Sequence, residues 1–93
     1  MIRCMDRPRL SRKVRLRFDR RTGRSLLLYP ETGLELNGSA AEIAGLCTGV
    51  HTVDDIARLV APAYEGVSPE EIKPEVLGFL DALAARGLLQ GLR

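Results

Sequence analysis

From Lys13 to Asp19 the chain reads K-V-R-L-R-F-D, an unbroken alternation of apolar and charged residues whose period of two calls for a half-buried strand. It predicts Val14, Leu16 and Phe18 on the core face and Lys13, Arg15 and Arg17 on the solvent face. Asp19 to Gly23 has the polar, glycine-ended composition of a hairpin connection, and Ser25 to Tyr29 reads as the returning strand. Pro30 to Gly33 signals a second turn, after which Leu34, Glu35 and Leu36 alternate again before Asn37-Gly38 stops the strand. Three antiparallel strands in meander order follow.

After Gly38 the period changes to that of helices. Ser39 is followed three residues later by Glu42, the capping-box spacing, and Ile43, Leu46, Cys47 and Val50 fall on one helical face before and around Gly49. Thr52 with Asp54 and Asp55 opens a second helix, its acids near the positive end of the dipole, with Ile56, Leu59, Val60, Ala63 and Tyr64 as its apolar stripe. Ser68-Pro69-Glu70-Glu71 caps a third segment. Pro74 lacks the N–H for a bond four residues back, so a kink or restart is expected there. The main helix then runs from about Pro74 to Arg86 with Ile72, Val76, Phe79, Leu80 and Leu83 as its core stripe, closed by Gly87. Residues 1–11, polar and aperiodic, read as a flexible N-terminal tail with a short extended piece at Pro8-Arg9-Leu10, and 12–93 as a single α+β domain. A small sheet followed by three helices is winged-helix-like in outline.

Nothing in this pattern speaks for catalysis. The one histidine, His51, lies in a turn with no serine or cysteine beside it as a nucleophile, and the acids Glu70, Glu71, Glu75 and Asp81 fall on the exposed side of the last helical segment. Cys4 and Cys47 lack the close spacing of a zinc site, and no glycine-rich phosphate loop occurs, so neither metal nor nucleotide cofactor is expected. No apolar run approaches the roughly 18 residues a membrane span needs, nor does the N-terminus carry a secretory apolar core of about 7 to 15 residues. The expected compartment is the cytoplasm, with no membrane partner.

Charge is divided along the chain. Residues 1–24 hold ten Lys or Arg against two acids, +8, whereas residues 25–93 hold four against ten, −6. A winged-helix nucleic-acid-binding regulator is therefore an alternative, but its helices would present Asp54, Asp55, Glu70, Glu71, Glu75 and Asp81 against Arg58, Lys73 and Arg86, which repels phosphates. The remaining feature is the strand Leu34-Glu35-Leu36, which has no further partner in a meander. Its free N–H and C=O groups are either a harmless short edge or a docking edge for an extended peptide, and composition does not decide between them.

The runs Leu-Leu-Tyr-Pro-Glu at 27–31, Leu-Glu-Leu-Asn at 34–37, Ala-Glu-Ile at 41–43, Thr-Val-Asp-Asp-Ile at 52–56 and the Phe-Leu to Gly-Leu-Leu ending resemble, in order and spacing, the PqqD family of pyrroloquinoline quinone biosynthesis. The resemblance extends from about Arg7 to Leu89, with Thr48 standing where the family usually has Asp. It implies a non-catalytic peptide chaperone with a winged-helix-like fold of three strands then three helices. Such a chaperone binds a ribosomally made precursor peptide (PqqA-like) and delivers it to a radical S-adenosylmethionine enzyme (PqqE-like), which cross-links a glutamate to a tyrosine. By the same resemblance the peptide adds as a strand at Leu34, Glu35 and Leu36 and lies against the last helix; helical spacing there gives a groove walled by Val76, Leu77 and Leu80, and charge assigns Arg15 and Arg17 to enzyme docking. A leader-recognition domain of another modified-peptide pathway fits the same residues. A homodimer that swaps the basic strand or last helix through hinges at 30–33 or 67–69 also stays open.

Overall fold

In a computed structural model the described residues are 2–29 and 32–91; of the turn expected at 30–33, residues 30 and 31 lie outside them, while Thr32 and Gly33 belong to a strand. The elements in chain order are β1 (Arg9–Leu10), β2 (Arg15–Asp19), β3 (Arg24–Tyr29), β4 (Thr32–Leu36), α1 (Gly38–Gly45), α2 (Val53–Val60), α3 (Pro69–Ala85) and β5 (Leu89–Gln90), with a 3-10 turn at Ala61–Ala63. Strands β2, β3 and β4 form the antiparallel meander that the alternation predicts, and β1 pairs with β5 in a separate two-stranded ladder.

Register sets the two faces of the meander. Leu16 pairs with Leu27 and Leu27 with Leu34, while Phe18 pairs with Ser25 and Ser25 with Leu36, so these residues share the helix-facing side. Leu27 and Leu36 are buried there against Leu83 and Leu88. The first strand departs from expectation. Val14 is buried, but Leu16 is 38% and Phe18 64% exposed, because among the described residues only α1 of the helices packs appreciably on β2 and its cover leaves both side chains open. The alternation thus reports strand geometry correctly while overstating burial.

Helix ends follow side-chain chemistry. α1 starts two residues earlier than Ser39 suggests: Asn37 is the cap, its Oδ1 accepting from the Ala40 N–H at 2.8 Å, and the helix stops at Gly45 rather than continuing to Val50. α2 has a reciprocal capping box, with Thr52 Oγ1 accepting from Asp55 N–H at 3.1 Å and Asp55 Oδ2 accepting from Thr52 N–H at 3.0 Å. That backbone bond from Thr52, aided by Arg58, holds the Asp55 carboxyl below its usual pKa. Pro62 ends α2 in the 3-10 turn, so Tyr64 lies beyond the helix. α3 does not restart at Pro74. It runs unbroken from Pro69, capped by Ser68, because the proline costs one backbone bond within the first two turns while Ile72, Val76, Leu80 and Leu83 anchor the helix on both sides of it.

The N-terminal segment is the largest correction. Residues 2–10, expected to be a flexible tail, are laid along the helices: Ile2 is only 6% exposed, and Asp6 and Pro8 are buried with it. Backbone bonds fix the path, from Asp54 N–H to Cys4 O (3.2 Å), Val53 N–H to Asp6 O (3.1 Å), Gly49 N–H to Pro8 O (3.1 Å) and Leu10 N–H to Cys47 O (3.1 Å). The first two fall at the start of α2, where helix N–H groups otherwise lack partners, which is why a polar aperiodic stretch can be held so closely.

Candidate functional site

The β4 edge is set by the β3–β4 hairpin. Tyr29 pairs with Thr32 across two residues, the closing pair of a two-residue connection, which exchanges both of its backbone bonds. Antiparallel pairs then alternate, so Leu34 and Leu36 turn their backbone groups toward β3, while Gly33 and Glu35 turn N–H and C=O outward. Among the described residues no strand lies beyond β4. Its outward backbone groups therefore belong to Gly33 and Glu35. Turn composition assigns Gly33 to the connection and not to the edge, whereas hairpin parity places it there.

Side chains along β4 divide in the same way. Leu36 is buried and Leu34 half-buried on the helix side, whereas Glu35 is exposed and paired with Arg24 of β3 at 2.7 Å. Both partners of that pair are more than half exposed, so its worth is small. At the end of β4 opens a groove of about 130 Å³, lined by Asn37, Ala40 and Ile43 of the α1 start and by Ile72, Glu75 and Phe79 of α3. Its floor is aliphatic and its rim carries the amide of Asn37 and the carboxylate of Glu75.

The wall of that groove differs from the one expected. Val76 and Leu80 are fully buried in the helix core with Ile43, Val53, Ile56 and Val60, and present nothing to a ligand. Leu77 is half-buried against that core. At 100° per residue it shares a flank of α3 with Lys73, and Lys73 Nζ reaches Asp54 Oδ1 of α2 at 2.7 Å, which also raises the lysine pKa. Leu77 is therefore on the α2 side of the helix. The opposite flank carries Glu75, Phe79 and Arg86. Phe79 lines the groove and touches both apolar clusters, and Arg86 Nη1 donates to Tyr29 Oη of β3 at 3.5 Å. The residues expected to wall the groove and the α3 residues that line it thus lie about a third of a helical turn apart, with Phe79 of the expected stripe among the lining.

Arg15 and Arg17 project with Leu26, Leu28 and Glu35 from the sheet face that carries no helix. The cysteines are unpaired: Cys4 is half-buried, and Cys47 is enclosed so that desolvation pushes its thiol up to about 12. Among the described residues no three His, Cys, Asp or Glu converge as metal ligands, and no helix is long and apolar enough to cross a membrane.

Fold and edge together define the class, a small winged-helix-like recognition domain in which an uncovered strand edge runs beside a helix groove. The family model described as coenzyme PQQ synthesis protein D (PqqD) matches residues 24–89. The chain belongs to the PqqD family. It is 36% identical over 85 residues to the bifunctional coenzyme PQQ synthesis protein C/D of Methylorubrum extorquens, an alignment covering 91% of this chain but only 23% of that larger protein. A PqqA binding protein from Rhodopseudomonas palustris strain BisB5 is 37% identical over 88 residues, which span 95% of this chain and 85% of that one. The solution structure of the PqqD truncation of Methylobacterium extorquens PqqCD, described as a functional, stand-alone recognition element for ribosomally synthesized and post-translationally modified peptides, superposes with a TM-score of 0.82 at 34% identity, covering 97% of this chain and 95% of that one.

Proposed function

We propose that this domain is a non-catalytic peptide chaperone: it takes up a PqqA-like precursor peptide as an added strand on β4 and presents it to a radical S-adenosylmethionine enzyme in the making of pyrroloquinoline quinone. The observation that carries the reading is the outward backbone of Gly33 and Glu35 beside the groove lined by Phe79 and Glu75. The name of the R. palustris relative, a PqqA binding protein, supports the choice of peptide. Backbone pairing supplies affinity that is indifferent to side chains, and the groove selects what the peptide carries alongside. Leu34, Glu35 and Leu36 keep their proposed part through the strand they form, with Phe79 and Glu75 replacing Val76, Leu77 and Leu80 as groove wall.

The basic outer face with Arg15 and Arg17 is the proposed docking surface for the modifying enzyme, and the cytoplasm the proposed compartment. Peptide along the β4 edge and enzyme on the outer face over β2 would meet different parts of one sheet, with β3 between them, so both fit at once. Calorimetric titration with a PqqA peptide tests the reading. Saturable binding unchanged by a chelator is expected, with no change in the mass of the peptide. Absence of binding, or turnover of the peptide by the domain alone, would overturn it.

A further inference from the structure

The larger cleft among the described residues lies away from β4. It has a volume of about 670 Å³ and is bounded by Arg3, Met5, Asp6, Arg7 and Arg9 of the N-terminal segment, with Gly49, Gln90 and Gly91. The β4 groove is lined by Asn37, Ala40 and Ile43 on the α1 side, whereas Gly49 lies four residues past the end of α1, and no described residue lines both.

The cleft is built by alternation. Between Ile2 and Arg9 the even residues Ile2, Asp6 and Pro8 are buried, while Arg3, Met5, Arg7 and Arg9 are all exposed. Because the backbone is tied down at Cys4, Asp6, Pro8 and Leu10, these side chains leave from fixed points. Two of them are held further along. Arg7 Nη1 donates to the Val50 carbonyl at 2.7 Å, the one bond its guanidinium makes among the described residues, and the Arg9 stem lies over Gly49, where an added Cβ would come within 3.2 Å of Arg9 Cδ. Gly91, at φ +77°, brings β5 so close that a Cβ there would meet the Arg7 carbonyl at 2.5 Å, which closes one side of the cleft.

The cleft is net positive, three guanidinium groups against one carboxylate. That acid, Asp6, lines the cleft but is almost wholly buried, its Oδ2 accepting from the Arg3 backbone N–H at 2.9 Å. Among the described residues no carboxylate pairs with Arg3, Arg7 or Arg9. Three guanidinium groups around one cleft match carboxylates, each able to take a two-pronged arginine contact. Met5, 73% exposed between them, offers a flexible apolar contact that a free phosphate has no use for and an apolar side chain does.

We infer that this cleft is a second binding site, for an acidic peptide segment of a partner protein that carries an apolar residue among its carboxylates. The site is separate from the strand edge and does not depend on it.

The probe is a fluorescein-labelled hexapeptide, Asp-Glu-Leu-Glu-Asp-Glu, titrated into the full chain by anisotropy at low salt, with the Asn/Gln counterpart as control. The wild type should bind the acidic peptide at least tenfold better than the neutral one. Arg3→Ser with Arg9→Ser should weaken it tenfold or more, whereas Glu35→Pro should leave it unchanged. Amide shifts of the wild-type chain give a second reading that needs no variant: perturbation should centre on residues 3–9, 49 and 90–91. Equal binding of the neutral peptide, shifts centred elsewhere, or no binding would overturn the inference. So would displacement by inorganic phosphate at millimolar concentration, which would mark a simple anion site, or by duplex DNA, which would mark a nucleic-acid surface.

Discussion

Proline at position 35 interrogates the β4 edge at its one outward N–H that also carries a removable side chain. Hairpin parity turns the Glu35 N–H away from β3, so proline removes no bond within the sheet, and an edge position is where a strand tolerates it. The Glu35→Pro change does remove the ion pair with Arg24, but side chains 64% and 52% exposed contribute at most about 1 kcal/mol. At about 4–8 °C per kcal/mol for a domain of this size, the melting temperature should fall by less than about 8 °C. The docked peptide fares worse. Its carbonyl opposite position 35 loses its donor, and an unsatisfied group held in a paired strand costs about 1–3 kcal/mol, roughly a 5- to 150-fold loss of affinity. Glu35→Ala is the matching control: it removes the same ion pair, keeps the N–H, and should bind within about twofold of wild type. Calorimetric titration with the precursor peptide, paired with thermal melts of all three proteins, measures both quantities. If Glu35→Pro melts near wild type and binds like Glu35→Ala, the peptide does not add to this edge.

The remaining outcomes separate face from face. Phe79→Ala should weaken peptide binding about tenfold or more with the domain still folded, whereas Leu77→Lys should lower the melting temperature and leave the affinity of the folded protein unchanged, as peptide titration and melts will show. Val76→Ala, at a fully buried site, should cost about 2–3 kcal/mol in denaturant unfolding without touching specificity. Arg15→Glu with Arg17→Glu should reduce the salt-dependent association with the modifying enzyme and spare the peptide, which pull-downs over a salt series will resolve. Cys47 holds its proton in the fold up to about 12, so this contribution to stability is complete below the ordinary thiol pKa near 9 and is lost as pH climbs from there toward 12; a Cys47→Ala variant should show a shallower alkaline fall in stability.

How much of this was legible in the residues varies with the physics involved. Period-two alternation and turn composition set out the meander and its free edge, since a strand's pattern and its hairpins are local properties. The helix stripe on α3 was equally legible, yet the face it turns to β4 was not, because that depends on where α2 docks, and the Lys73–Asp54 pair is a tertiary fact. Burial of Leu16 and Phe18 was overestimated for a related reason: alternation says which residues share a face, and helix placement decides whether the face is covered. The N-terminal segment was read as a tail because its order comes from backbone bonds donated by the start of α2, for which its side chains give no signal. The cap at Asn37 instead of Ser39 reflects two residues, two positions apart, that both satisfy helix N-terminal preferences, of which geometry selected one.

Amide hydrogen exchange at single-residue resolution, with and without the precursor peptide, reaches the central claim most directly. In the free domain the N–H groups of Gly33 and Glu35 have no partner across an edge and should exchange quickly, while those of Leu34 and Leu36, bonded to β3, exchange slowly. Adding the peptide should protect Gly33 and Glu35 selectively, with smaller changes around Ala40, Glu75 and Phe79. Protection appearing instead on β2, at Leu16 and Phe18, with Gly33 and Glu35 unchanged, would put the peptide on the opposite edge and contradict the account.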